Sequence, residues 1–106
     1  MWIIVVPAMK FADGMALYPF ILVRHREMKK NETLIRHERI HLRQQLELLV
    51  VPFYCFYLFN YFFNLIRYQN HHTAYRNICF EREAYENEHK IDFLQKRSFW
   101  NFIKYL

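Results

Sequence analysis

Residues 2–6 read Trp-Ile-Ile-Val-Val, a short β-branched run that predicts a strand. Residues 9–15 contain Asp13-Gly14 and predict a turn region, and residues 17–23 return to an apolar run that predicts a second strand. Pro19 cannot donate to a ladder, which places this second strand at a sheet edge. After a basic loop the period changes. Asn31 is suited to cap a helix, with Glu32 favourable in its first turn. Leu34, Ile35, Leu42, Leu46 and Leu49 then recur at helical spacing to about Val50, and Pro52 ends or kinks that helix. Residues 48–66 carry no charge and predict a helix with a very greasy face, in which Asn60, Asn64 and Arg67 share one stripe. Residues 68–72 read as a loop, Thr73 to about His89 as a charged helix, and Ser98 opens a short aromatic tail. The order of elements predicts an α+β fold: a small N-terminal β-sheet followed by about four helices, in a single domain over residues 1–106.

Composition narrows this further. With 54% hydrophobic residues the chain is not disordered. Its single glycine, Gly14, argues against a barrel or sandwich of many tight hairpins. Two cysteines, Cys55 and Cys79, exclude a disulfide scaffold and a four-thiolate zinc site, and free thiols suit a reducing compartment. The apolar start lacks a basic leader, so no signal peptide is expected, and a cytoplasmic or peripherally membrane-associated protein is. The net charge is +5, densest at Arg24-His25-Arg26-Glu27-Met28-Lys29-Lys30. No nucleic-acid motif accompanies it, so no nucleic-acid partner is expected.

Residues 37–41 are His-Glu-Arg-Ile-His, the pattern H-E-x-x-H inside the predicted helix. Positions i and i+4 share a helix face, so His37 and His41 can reach one metal ion. Glu38 lies beside them, placed to take a proton from an activated water. A composition like this one yields the pattern by chance only about 0.025 times per chain, which favours chemistry over coincidence. A catalytic zinc of this kind needs a third protein ligand. In Glu81-Arg-Glu-Ala-Tyr-Glu-Asn-Glu88, Glu81, Ala84 and Tyr85 fall on one face while Glu83 points to the opposite side. Glu81 is therefore the expected ligand and Glu83 the second choice. His71, His72 and His89 read as surface histidines.

These motifs resemble the core of the gluzincin metallopeptidases, with H-E-x-x-H on one helix and a glutamate on a following one. Residues 18–23 with residues 31–41 are similar to the strand and active-site helix of the membrane metallopeptidases that sense β-lactams. Residues 81–85 resemble the E-x-E-A-D segment of those enzymes and of the prenyl-protein endopeptidases. The resemblance spans roughly residues 16–88, and the length is similar to that of the minigluzincins. It implies a zincin-like core with His37, His41 and Glu81 as zinc ligands. It also implies Glu38 as general base, a peptide or protein as substrate, and peptide hydrolysis as the reaction. Tyr85 stands where that family has an aspartate that partners a ligand histidine. A phenol oxygen can still accept an imidazole N–H there, though it raises ligand basicity less. Tyr75, Tyr85, His71 and His72 are the candidates for oxyanion stabilisation.

A single membrane crossing by residues 48–66 would put His41 and Glu81 on opposite sides of a bilayer about 30 Å thick, so the zinc site and a span exclude each other. The segment is expected first as a core helix, with peripheral membrane contact or a dimer interface as the other readings. The residues 17–23 edge strand is expected to hold substrate by strand addition. The aromatic tail, residues 98–106, is expected to pack on residues 53–63. The minigluzincin resemblance implies instead a strap over the zinc cleft. The reading from another class is a non-enzymatic membrane-peripheral or protein-interaction domain in which H-E-x-x-H is structural or vestigial.

Overall fold

The structure, a computed structural model, describes residues 2–10 and 12–106. Three short strands form one sheet: β1 (Trp2–Val5), β2 (Gly14–Leu17) and β3 (Phe20–Val23), in the order β1-β3-β2. β3 runs parallel to β1, with Trp2 opposite Phe20, and antiparallel to β2, with Leu17 opposite Phe20. Residues 17–23 are therefore not a single edge strand. The run folds back at Tyr18-Pro19, so Pro19 sits in the connection, where its missing N–H costs no ladder bond. The half after it becomes the central strand, and the edge next to the helices is β2.

Five α-helices follow among the described residues: α1 (Glu32–Leu48), α2 (Val50–Tyr68), α3 (His71–Arg76), α4 (Cys79–Asn87) and α5 (Phe93–Lys96). The α+β reading is correct. Asn31 caps α1 as expected, its Oδ1 accepting the Leu34 N–H at 3.0 Å. α1 ends at Leu49 rather than at Pro52. Leu49 adopts φ 68° and the chain turns by 111° into α2. Pro52 lies in the first turn of α2, where a helix has no use for the N–H it lacks. α2 continues through Tyr68, leaving only Gln69 and Asn70 as the connection to α3. The charged helix expected over residues 73–89 is broken at Asn77 and Ile78. The Asn77 backbone N–H and side-chain Nδ2 both donate to the Thr73 carbonyl, which closes α3. Ile78 is extended and fully buried.

Two apolar clusters flank α1. Ala16, Ile21 and Val23 of the sheet pack on Ile35 and Leu42. Phe53 of α2 packs with Ile78, Cys79 and Phe80 around α4 and with Phe102 of the tail. The residues 98–106 tail thus contributes to the core through Phe102. Its hydrogen bonds reach Glu83, Asn87 and Arg82, not His37, His41 or Glu81. α2 is not a plain core helix, because only Phe53 and Asn64 on it are buried. Among the described residues, no single helix is long and apolar enough to cross a membrane.

Candidate metal centre

α1 and α4 bring the motif residues together between the two clusters. His37 and His41 sit one turn apart on α1, and Glu81 faces them from the first turn of α4. The Oε1 atom of Glu81 lies 3.0 Å from Nε2 of His37 and 3.0 Å from Nε2 of His41. The three potential ligand atoms all lie within 4.8 Å of one another. In a tetrahedral zinc site with bonds near 2.0–2.1 Å, neighbouring ligand atoms stand about 3.3 Å apart. The buried His/His/Glu group is therefore of a size and chemistry that can hold a metal ion. Ala84 is fully buried, and its small side chain lets α4 come close.

The outer nitrogen of each imidazole is also held. His37 Nδ1 lies 2.7 Å from Oε2 of Glu88, and His41 Nδ1 lies 2.7 Å from Oε1 of Gln44. Each pairing points the other nitrogen, Nε2, at Glu81. The partner of His37 is thus Glu88, seven residues after Glu81 and on the same face of α4, and not Tyr85. The Tyr85 hydroxyl bonds to the Tyr75 hydroxyl at 2.8 Å, while its ring packs edge-on against His37 at 4.4 Å between centroids. His37 thus has a carboxylate partner, about one turn further along than Tyr85.

Gln44 is itself anchored. Its Nε2 donates to Oε1 of Glu83 at 2.8 Å and to the Phe80 carbonyl at 3.2 Å, which leaves Oε1 for His41. Glu83 points away from the histidines, as its helix position requires. It is fully buried against the Arg97 guanidinium, with Nε to Oε2 at 2.6 Å, and accepts Asn101 Nδ2 at 2.8 Å. Arg97 also holds Glu47, with Nη1 to Oε2 at 2.7 Å. A chain of buried polar contacts thus runs from the C-terminal segment through Glu83 and Gln44 to His41.

The electrostatics follow from burial. Burial would push the Glu81 carboxyl up, but His41 and His37 hold it well below the usual carboxylate range. Burial pulls the His41 imidazole down, and the charge and hydrogen bond of Glu81 more than offset this, leaving it at about 9. Burial pushes Glu38 above the ordinary glutamate value, opposed in part by the two histidines. That direction makes Glu38 a stronger proton acceptor than an ordinary glutamate. Tyr57 donates its hydroxyl to Oε2 of Glu81 at 2.5 Å, and burial together with Glu81 keeps this phenol protonated.

Glu38 is also where Gly14 acts. A Cβ at Gly14 would stand 3.3 Å from Oε2 of Glu38 and 3.1 Å from Leu34, so the missing side chain lets β2 lie directly against the site. The glycine is needed for this close approach, not for a turn. Further along β2, the Ala16 carbonyl accepts from Gln45 Nε2 and from the Tyr54 hydroxyl, and the Tyr18 N–H donates to Gln45 Oε1. Two of the groups that strand addition would use are thus already bonded. Of the four candidates for oxyanion stabilisation, Tyr85 lies against His37 and Tyr75 bonds to it. His71 is exposed and bonded to Tyr61, and His72 is exposed.

Sequence reasoning missed Glu88, Gln44, Tyr57 and Arg97. Glu88 alone left a signal, the i+7 spacing from Glu81 that returns to the same helix face. Comparison with protein-family models, curated proteins and solved structures gives no match to this chain.

Proposed function

We propose that the chain is a minimal zinc metallopeptidase in which His37, His41 and Glu81 hold the ion and Glu38 is the general base. The convergence of the two Nε2 atoms on one Glu81 oxygen, at 3.0 Å each, carries this reading. It is joined by the order of the motifs along the chain and their likeness to the gluzincins. A zinc ion held by these residues would polarise a scissile carbonyl and acidify a water molecule. Glu38 would accept a proton from the attacking water and pass it to the departing amide nitrogen, and its raised affinity for a proton would serve both transfers. Glu88 and Gln44 keep each imidazole presenting Nε2 inward. Tyr57 withdraws Oε2 of Glu81 into a hydrogen bond, leaving Oε1 as the ligand atom.

One observation favours a second reading, a folding element without catalysis. His37, Glu38, His41 and Glu81 are each no more than 5% exposed. The polar atoms of His37, His41 and Glu81 are satisfied by one another and by Glu88, Gln44 and Tyr57, as in a structural site. Glu38→Gln separates the two readings, because the amide keeps the shape and removes the proton acceptor. The peptidase reading expects full zinc binding with peptide hydrolysis reduced at least a hundredfold. Loss of the metal in this variant, or unchanged hydrolysis, contradicts the role given to Glu38.

A further inference from the structure

α2 is inverted with respect to an ordinary surface helix. Its polar side chains face the protein. Asn60 Oδ1 accepts the Cys79 N–H at 2.8 Å, Asn64 Nδ2 donates to the Ala74 carbonyl at 3.2 Å, and the Tyr61 hydroxyl meets His71 Nδ1 at 2.8 Å. Phe53 apart, most of its large aliphatic and phenyl side chains face out. Phe56, Leu58, Phe59, Phe62, Phe63 and Ile66 are 51–78% exposed. Together they offer apolar surface on the order of 700 Å², above the largest patch of a typical monomer. Leu46 and Leu49 at the bend are exposed as well.

Along the stretch of chain that carries this face, the charges that reach solvent are of one sign. Between Glu32 and Glu81 the chain has two carboxylates, Glu38 and Glu47. Glu38 is buried, and Glu47 is held by Arg97 with its side chain only 3% exposed. The cations of the same stretch reach solvent. Arg39 is exposed, and Arg43 lies one turn before Leu46 on the same side of α1. Arg67 follows Ile66 at the far end, and Arg76 is exposed on α3. A second copy laid on α2 in either direction would bring one cationic end against another. A bilayer containing acidic lipids offers hydrocarbon to the centre of the face and anionic headgroups to its ends.

We propose that the outer face of α2 docks on an acidic bilayer surface, with the helix lying in the plane of the membrane. The helix is about 28 Å long and apolar along its whole outer side. Crossing would instead immerse Asn60 and Asn64, so in-plane seating is the geometry that suits it. This proposal does not depend on the metal centre.

The chain carries its own reporter site. Cys55 is exposed on the same face, one turn before Phe59, whereas Cys79 is buried with its thiol pushed up to about 11, so a thiol-reactive fluorophore labels Cys55. The full chain, labelled there with a polarity-sensitive dye, is titrated with vesicles of phosphatidylcholine alone or with 30% phosphatidylglycerol. The expected result is a blue-shifted emission, affinity at least tenfold higher for the acidic vesicles, and loss of about tenfold when salt is raised to about 0.5 M. Phe59→Ser with Ile66→Ser, at positions 76% and 78% exposed, should keep the helical spectrum and melting temperature and lose at least tenfold in binding. Arg67→Glu should reduce the preference for acidic vesicles. The proposal is overturned if wild-type protein shows no shift with either vesicle, or binds both equally. It is also overturned if the shift appears without lipid as protein concentration rises and sedimentation gives a doubled mass, which would make the face a dimer interface.

Discussion

Replacing Arg97 by Met should be among the most destabilising single changes in the molecule. The Arg97 side chain is fully buried and makes four charge-assisted contacts, two to Glu83 at 2.6 and 3.0 Å and two to Glu47 at 2.7 and 3.1 Å. Methionine keeps most of the volume but leaves two carboxylates at 0% and 3% side-chain exposure without a cation. Breaking a buried pair in this way costs about 3–5 kcal/mol. A domain of this size has about 5–15 kcal/mol in all. With a urea m-value of about 1–3 kcal/mol/M, the unfolding midpoint should fall by about 2 M. Lys96→Met breaks an ion pair with Asp92 whose side chains are 77% and 55% exposed, and should leave the midpoint where it was. If the cost of Arg97→Met is that of stranded charge, adding Glu47→Gln and Glu83→Gln should recover part of it. Equal midpoints for the Arg97→Met and Lys96→Met proteins would refute the reasoning, and so would a triple variant no more stable than the single one.

Two further outcomes follow from the geometry. Glu81→Ala should abolish measurable zinc affinity. Glu83→Ala, which reaches the metal site by loosening Gln44, the partner of His41, should weaken zinc by about 10–100-fold; chelator competition on both variants checks this, and equal affinities or the reverse order would sink the assignment. Leu49→Gly should stabilise the protein by about 1 kcal/mol, because Leu49 occupies a glycine-only region at φ 68°, ψ 158° and is 69% exposed. The thermal midpoint should rise by about 4–8 °C, and an unchanged or lower midpoint contradicts it.

Helix spacing alone places His37 and His41 on one face, and the face arithmetic on residues 81–88 turns Glu81 towards them and Glu83 away, as the hydrogen bonds have it. Such readings succeed because both partners lie on one regular element. Gln44 and Arg97 were not legible, since their contacts join α1, α4 and the tail, and no local period encodes that meeting. Pro19 is consistent both with an edge strand and with a strand connection, and only the pairing of β3 with both neighbours decides between them. The break at Asn77 has no proline or glycine to mark it, because a side-chain amide closes the helix there. For α2, periodicity showed a polar stripe of Asn60 and Asn64 but not which side faces inward. That depended on the unpaired groups of α3 and α4, such as the Cys79 N–H and the Ala74 carbonyl, that the two amides satisfy.

The zinc content of the purified protein decides whether His37, His41 and Glu81 form a metal centre. About one zinc per chain is expected, lost in His37→Ala and retained in Glu83→Ala at saturating metal. Affinity should rise with pH towards about 9, because His41 is a cation below that value and must give up its Nε2 proton for the metal to bind. A folded, stable protein that takes up no zinc at any pH in this range, or whose zinc survives the loss of His37, would contradict that assignment.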